Sequence, residues 1–289
     1  MIKNIKEKGT VLYWNLKDNN YYGHLTILKK YCHKKYTLGI PGLLQHGWTS
    51  GSGIYDSISP NFNVNFFVWN ERNYNVASKL QYNKICPVGA PFIYLPFDKL
   101  CISSDCSRNS LLVFPVHTWE KEGLLDPIKF FRKYVSDINK LKSDFDEIVA
   151  CLYFIEYGRQ DIRKLFENNN IKTLSLGHRE GNPNFLINFI NIANNFNYVT
   201  SNIISTAIFY SMFLKKRVFI YGNRPKSEDM NVRAATKIIF ENCQNIYEQY
   251  PVLHWEHFDD KTHIEIGKNE LGYSYKKNQD DLRNIFGWV

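Results

Sequence analysis

Runs of apolar residues alternate with helical periods through the second half of the chain, and this alternation is its main structural signal. "LLVFPVH" is an apolar run of strand length. Asp126 then caps, and Pro127 opens, a helix reaching about Leu141: a carboxylate can satisfy free helical N–H groups, and proline is preorganised for the first helical position. "EIVACLYFI" follows as a strand apolar on both faces, then a short helix from Asp161 to Asn168 and a strand in "IKTLSLGH". Asn182 and Pro183 open the helix "NFLINFINIANN"; "YVTSN", "IISTAIFYSMFL" and "KRVFIYG" read as strand, helix and strand. Doubly apolar strands alternating with helices predict a parallel sheet covered by helices.

The first part of the chain reads differently. "GTVLYWNL", "YTLGIPGLLQHG", "NVNFFVWNE" and "KICPVGAPFIYL" are short strands, punctuated by Pro41, Gly42, Pro87, Gly89 and Pro91. The polar stretch "FDKLCISSDCSRNS" marks a boundary. A long helix near 226–248 and an amphipathic stretch from about Lys268 to Phe286 close the chain. The expected architecture is therefore α/β: two Rossmann-like lobes, the first small and irregular, with a cleft between them. The division falls at 1–108, 109–266 and a helical tail at 267–289.

Composition narrows the function classes. Hydrophobic residues make up 44% of 289, enough to build a sizeable core and to exclude wholesale disorder. The net charge of +8 fits an anionic membrane face or phosphorylated ligands. The basic residues are spread out, which argues against nucleic acid as a partner. Six cysteines at irregular spacings read as reduced thiols of a cytoplasmic protein. "MIKNIKEKGT" lacks the apolar core of a signal peptide, and no run of about twenty apolar residues would span a membrane.

In open parallel sheets, ligands bind beyond the carboxyl ends of the strands, so the residues there are the candidate chemistry. After one first-lobe strand comes "LLQHGWTSGSG", a loop of Gln45, His46, Gly47, Trp48, Thr49 and Ser50 that its glycines would make pliable. His46 has the type of side chain that serves as a general base near neutral pH. His117 follows "LLVFP", and Arg179 in "GHREGNP" precedes a helix, where a guanidinium can clamp a phosphate. Thr200, Ser201, Asn202, Ser205 and Thr206 crowd the turn into the next helix. Capping needs one such residue; five suggest a hydroxyl-rich anion cradle at a helix start. Asp144-Phe145-Asp146 lies at the amino end of its strand, the wrong end for a metal-bound donor, and the aromatic residues within "HWEHFDDKTH" favour a packed connection over a zinc site.

"QHG" after a first-lobe strand, "FPVHT", "GHREGNPNFL" and "TSNIISTAIFYSMFLKKRVFIYG" together resemble bacterial surface-polysaccharide transferases of the GT-B type, including CDP-glycerol glycerophosphotransferases and GT-B sialyl- and Kdo-transferases. The resemblance spans roughly residues 38 to 222. It implies a GT-B-like fold whose first lobe faces the acceptor, whose second lobe binds the nucleotide donor, and whose C-terminal helix crosses back. It implies a glycosyltransferase of capsule or lipopolysaccharide synthesis, moving a sugar from a nucleotide-sugar donor to a glycan or lipid-linked acceptor. No metal or cofactor is expected, and the location is cytoplasmic with peripheral contact at the inner membrane. His46 would be the catalytic base, His117 would meet the donor phosphate, and Arg179, Ser201, Asn202, Ser205 and Thr206 would hold it. Gln45, Gly47, Trp48, Thr49 and Ser50 would form the acceptor loop. Two departures stand out: "WTSGSG" replaces the Thr-Pro-Leu-Lys that follows QHG in the glycerophosphotransferases, and His117 precedes threonine where sialyltransferases of this fold have proline. Two other readings stay open, a CDP-alditol phosphotransferase and a non-catalytic partner in an assembly complex.

Overall fold

The structure is a computed structural model and describes residues 17–35, 39–51, 65–80, 84–100, 109–117, 123–231, 246–248, 250–254 and 259–288. The strand expected in "GTVLYWNL", most of the boundary stretch around residues 101–108, and residues 255–258 of the histidine-rich segment lie outside these.

The first lobe contains α1 (His24–Tyr31), β1 (Gly42–Leu44), β2 (Asn65–Val68), α2 (Glu71–Lys79) and β3 (Ile85–Pro87), with a parallel sheet in the order β1-β2-β3. Asn70 caps α2 by accepting from the Asn73 N–H. Neither helix was legible in the sequence. Each has fewer than ten residues, and helices that short are held by packing rather than by propensity. In α1 the anchors are His24, Ile27 and Leu28, all buried.

The second lobe runs β4 (Ser110–Phe114), β5 (Gly123–Leu124), α3 (Pro127–Asn139), β6 (Glu147–Cys151), α4 (Phe154–Gly158), α5 (Gln160–Glu167), β7 (Lys172–Leu174), α6 (Phe185–Ala193), β8 (Tyr198–Ser201), α7 (Thr206–Phe213), β9 (Arg217–Ile220) and β10 (Met230–Asn231). Five of its strands form a parallel sheet in the order β7-β6-β4-β8-β9, and β10 pairs antiparallel with β5. The chain moves outward from β4 in one direction, then returns to lay β8 on the other side. The strand order therefore reverses between β4 and β8, where Phe114 pairs with Ser201. A crevice opens at such a reversal, beyond the carboxyl ends of the strands.

The two lobes share one apolar core. Phe92 of the first lobe stacks on Tyr210 of α7 with centroids 4.0 Å apart, and Trp69, Phe189 and Ile208 belong to the same cluster. Two more helices follow, α8 (Asp260–Glu270), which runs across the expected tail boundary at 266/267, and α9 (Gln279–Phe286). α8 packs closely on α7: a Cβ at Gly267 would fall 2.8 Å from Phe213 N. α9 crosses back to the first lobe, where Phe286 meets Phe67 edge-on at 5.0 Å and Trp288 Nε1 donates to Gly39 O. The result is the α/β, GT-B-like arrangement expected, two parallel-sheet lobes with a returning C-terminal helix.

Several element boundaries differ from the sequence reading. The strand in "EIVACLYFI" stops at Cys151 and the chain turns helical at Phe154. Its neighbour β7 ends at Leu174, whose O accepts from Leu152 N as the last bond between the two, and Tyr153 and Phe154 pack on His117 and His178. Asn182 and Pro183 make a turn rather than open α6: Asn182 Oδ1 accepts from Asn184 N, and the helix begins at Phe185. The helix in "IISTAIFYSMFL" begins only at Thr206. Within the expected helix 226–248, Ser227–Asp229 is a 3-10 turn and Met230–Asn231 a strand, while 232–245 lies outside the described residues. The last amphipathic stretch is broken at Gly272, whose φ is 66° and whose added Cβ would sit 1.8 Å from Trp69 O; that close approach forces the chain out of the helix.

Candidate functional site

The site is built at the β4/β8 reversal. Asn202 straddles it: its Oδ1 accepts from Val116 N at 2.8 Å and its Nδ2 donates to Asn223 O at 2.7 Å. Thr200 donates its hydroxyl to Phe219 O, and Ser201 Oγ accepts from Ile203 N. These three buried side chains fix the turn. None of them caps α7, and its N-cap residue, Ser205, makes no side-chain capping bond. Ile208 N, in the first turn of α7, donates to Ser205 O, while the Thr206 and Ala207 N–H groups, which carry the partial positive charge of a helix start, receive no side-chain cap from Ser205. Of the five polar residues, the structure therefore separates three that shape the turn from two, Ser205 and Thr206, that present hydroxyls at its opening.

Thr206 Oγ1 also joins the lobes. It accepts from Trp48 N at 2.8 Å, and Gly47 passes so close that a Cβ there would lie 3.2 Å from the same oxygen. The His46 loop thus lies against the start of α7. Over residues 45–51 that loop is pinned rather than pliable. Buried Gln45 accepts from Trp69 N at 3.0 Å and donates to Gly47 O and Asn73 Oδ1. Asn73 Nδ2 reaches Thr49 O and Gly51 O, and Thr49 Oγ1 accepts from Gly51 N. Trp48 donates to Glu270 Oε2 at 2.6 Å; Arg72 pairs with the same oxygen, and Tyr250 donates to Oε1. Ser50 is buried. Gln45, Trp48, Thr49 and Ser50 therefore hold the loop, and His46 is the half-exposed member that it displays.

A cavity of about 170 Å³ opens at the reversal. His117, Ser201, Ser205 and Thr206 line it together with apolar walls that include Phe114, Phe185 and Phe189. His117 stacks on Tyr153 at 4.3 Å, which fixes its ring. Cys151 also faces the cavity, but burial pushes its thiol up to about 12, leaving it protonated and a poor nucleophile. Tyr210 reaches the cavity too; its hydroxyl is buried and has no hydrogen-bond partner among the described residues.

Sequence reasoning missed the turn before α1. Tyr22 has φ 58° and Gly23 φ 77°, two successive left-handed residues. The turn lies on the second lobe: Tyr22 N donates to Arg179 O at 2.8 Å, and a Cβ on Gly23 would collide with Pro183 O. Tyr22 lines the cavity, and Tyr21 meets the His46 ring edge-on at 5.5 Å while Arg179 sits 4.5 Å over its face. The adjacent His24 is fully buried, and burial first, then the neighbouring His46, lowers its pKa to about 3. No motif announces these residues, because their partners are more than twenty positions away. Among the described residues no group of three or more His, Cys, Asp or Glu is arranged to hold a metal ion, and no helix is long and apolar enough to cross a membrane. His263 bonds Val252 O; Glu256 and His257 of the same segment fall outside the description.

No family model and no curated protein sequence matches the chain. Among solved structures, an S. aureus MnaA–UDP co-structure aligns over 98% of this chain and 79% of that one, at 14% identity and a TM-score of 0.43. The wall teichoic acid polymerase TagF (H548A) aligns over 88% of this chain and 65% of that one, at 10% identity and a TM-score of 0.39. The chain thus spans about two thirds of TagF's length. Identities and TM-scores this low transfer no chemistry from either protein.

Proposed function

We propose that the chain is a glycosyltransferase that moves a sugar from a nucleotide-activated donor to a glycan or lipid-linked acceptor of a bacterial surface polysaccharide, without a metal. The observation that carries this reading is the Thr206–Trp48 hydrogen bond, which lays the His46 loop of one lobe against the uncapped start of α7 in the other. In this reading the His46 base acts on the same substrate as the anion cradle at the start of α7, although His46 and Arg179 are not among the residues lining the cavity itself. His46 takes the proton of an acceptor hydroxyl, and that oxygen attacks the anomeric carbon. The bond from that carbon to the nucleotide phosphate oxygen breaks, and its electron pair leaves with the phosphate. The α7 N–H groups, Ser205, Thr206 and Arg179 stabilise the departing charge, with His117 beside them. Ser201 and Asn202 hold the turn in shape, and Gln45, Gly47, Trp48, Thr49 and Ser50 position the base against the acceptor. Residues 1–108 form the acceptor side, 109–266 the donor side and 267–289 the returning tail. The positive charge suits a cytoplasmic enzyme resting on an anionic membrane face.

The test is thermal shift with CMP, CDP, UDP and GDP, with and without EDTA, on wild type and Ser205→Ala. Ser205 is the variant of choice because it lines the cavity and its side chain makes no capping bond to α7. Stabilisation by one nucleotide, unchanged by EDTA and weakened by Ser205→Ala, is the expected result. No stabilisation by any of the four would refute a nucleotide-donor site.

A further inference from the structure

We infer that Tyr21 is a positioning residue of this cleft, holding His46 of the first lobe and Arg179 of the second on one aromatic ring. The inference rests on the proposed donor site and adds a component to it. Three observations converge. The His46 ring meets Tyr21 nearly perpendicular, at 80°, with centroids 5.5 Å apart. The Arg179 guanidinium carbon lies 4.5 Å from the centroid of the same ring, a distance at which a cation is attracted to an aromatic face. The backbone is committed to this placement: Tyr21 is extended (φ −53°, ψ 138°), Tyr22 is left-handed (φ 58°), and Tyr22 N is tied to Arg179 O. A left-handed conformation costs a bulky residue on the order of 1 kcal/mol or more and persists only where the surroundings enforce it. Here the turn is wedged between the lobes, with Gly23 against Pro183 and Tyr22 edge-on to Phe185 at 4.9 Å.

The consequence is geometric. His46 and Arg179 come from different lobes, and a general base and a phosphate clamp act on one substrate only if their separation is fixed. Tyr21 fixes it through its ring, so the aromatic face is the part this placement requires.

The experiment uses the whole chain with labelled histidines. The His46 ring resonances are assigned with His46→Gln, then compared in wild type, Tyr21→Phe and Tyr21→Leu, alongside nucleotide affinity. The expected result is that Tyr21→Leu moves the His46 resonances more than those of any other histidine and weakens the stabilising nucleotide about tenfold, while Tyr21→Phe stays near wild type in both. Should Tyr21→Leu fail to fold, Arg179→Gln serves in its place: affinity falls, and the His46 resonances move only if the Arg179–Tyr21 contact orients the ring. Unmoved His46 resonances in Tyr21→Leu and Arg179→Gln alike, or a Tyr21→Phe variant as impaired as Tyr21→Leu, would overturn the inference. A wild type that binds no nucleotide sinks the proposed function instead, and the resonances alone then decide the role of Tyr21.

Discussion

Lowering the pH from 7 to 5 should destabilise this protein through one identifiable side chain, His24. Its imidazole is fully buried between Tyr22 and Trp69, and neither ring nitrogen has a hydrogen-bond partner among the described residues. Burial, and secondarily His46, lower its pKa from 6.5 to about 3. The unfolded chain therefore binds a proton over an interval in which the folded chain does not. Stability from this group is complete above pH 6.5 and falls as the pH drops toward 3. Integrating one proton with unfolded and folded values of 6.5 and 3 gives a loss of about 2 kcal/mol between pH 7 and 5, with a slope near 1.4 kcal/mol per unit below 6. Other groups titrate in the same range, so the measurement is a difference. Urea unfolding of wild type and His24→Phe is followed at pH 7, 6 and 5, and the wild type should lose about 2 kcal/mol more than the variant across that span. Equal losses, or a His24 resonance titrating near 6.5 in the folded protein, would refute the reasoning.

Thr206→Val removes the acceptor for Trp48 N while keeping the side-chain shape; it should cost about 1–3 kcal/mol in urea melts, with Thr206→Ser close to wild type. Glu270→Gln breaks the buried pairing with Arg72 and weakens the Trp48 bond; because the Arg72 side chain is 28% exposed, the expected cost lies toward the lower end of buried-pair losses, about 3 kcal/mol, and an unchanged Cm would contradict it. Tyr210→Phe deletes a buried hydroxyl that has no partner among the described residues and should leave Tm unchanged or higher; a fall of several degrees would show that the hydroxyl is satisfied by water that the fold needs.

Much of the second lobe was legible because local signals there agree with the tertiary structure. Asp126 caps α3 and Pro127 opens it, as the sequence reading has it. The apolar runs of β4, β6, β8 and β9 became the interior of one parallel sheet. In the first lobe the same reasoning found the runs that hold β1, β2 and β3, carried the last of them on through Pro91–Tyr94, which is a 3-10 turn, and lost α1 and α2, whose short patterns gain meaning only from the surfaces they cover. The candidate site divides in the same way. The hydroxyl-rich turn was visible as a cluster, but its division of labour was not. Which hydroxyl holds a strand and which faces the opening depends on β4 and β9, neighbours supplied by the strand order.

By itself, the sequence determined where apolar and polar residues alternate, and so the α/β class, the parallel second sheet and the strand ends at which to look for chemistry. Those features depend on periodicity and on capping, which act between residues a few positions apart. The tertiary structure alone decided that Trp48 N would meet Thr206, that Glu270 would anchor the His46 loop, and that Tyr21 would lie between His46 and Arg179. Those contacts span from about 25 to more than 200 positions of the chain, and no local pattern encodes them. They follow from how two lobes and a returning helix share one core, where packing fixes side chains that chain order leaves apart.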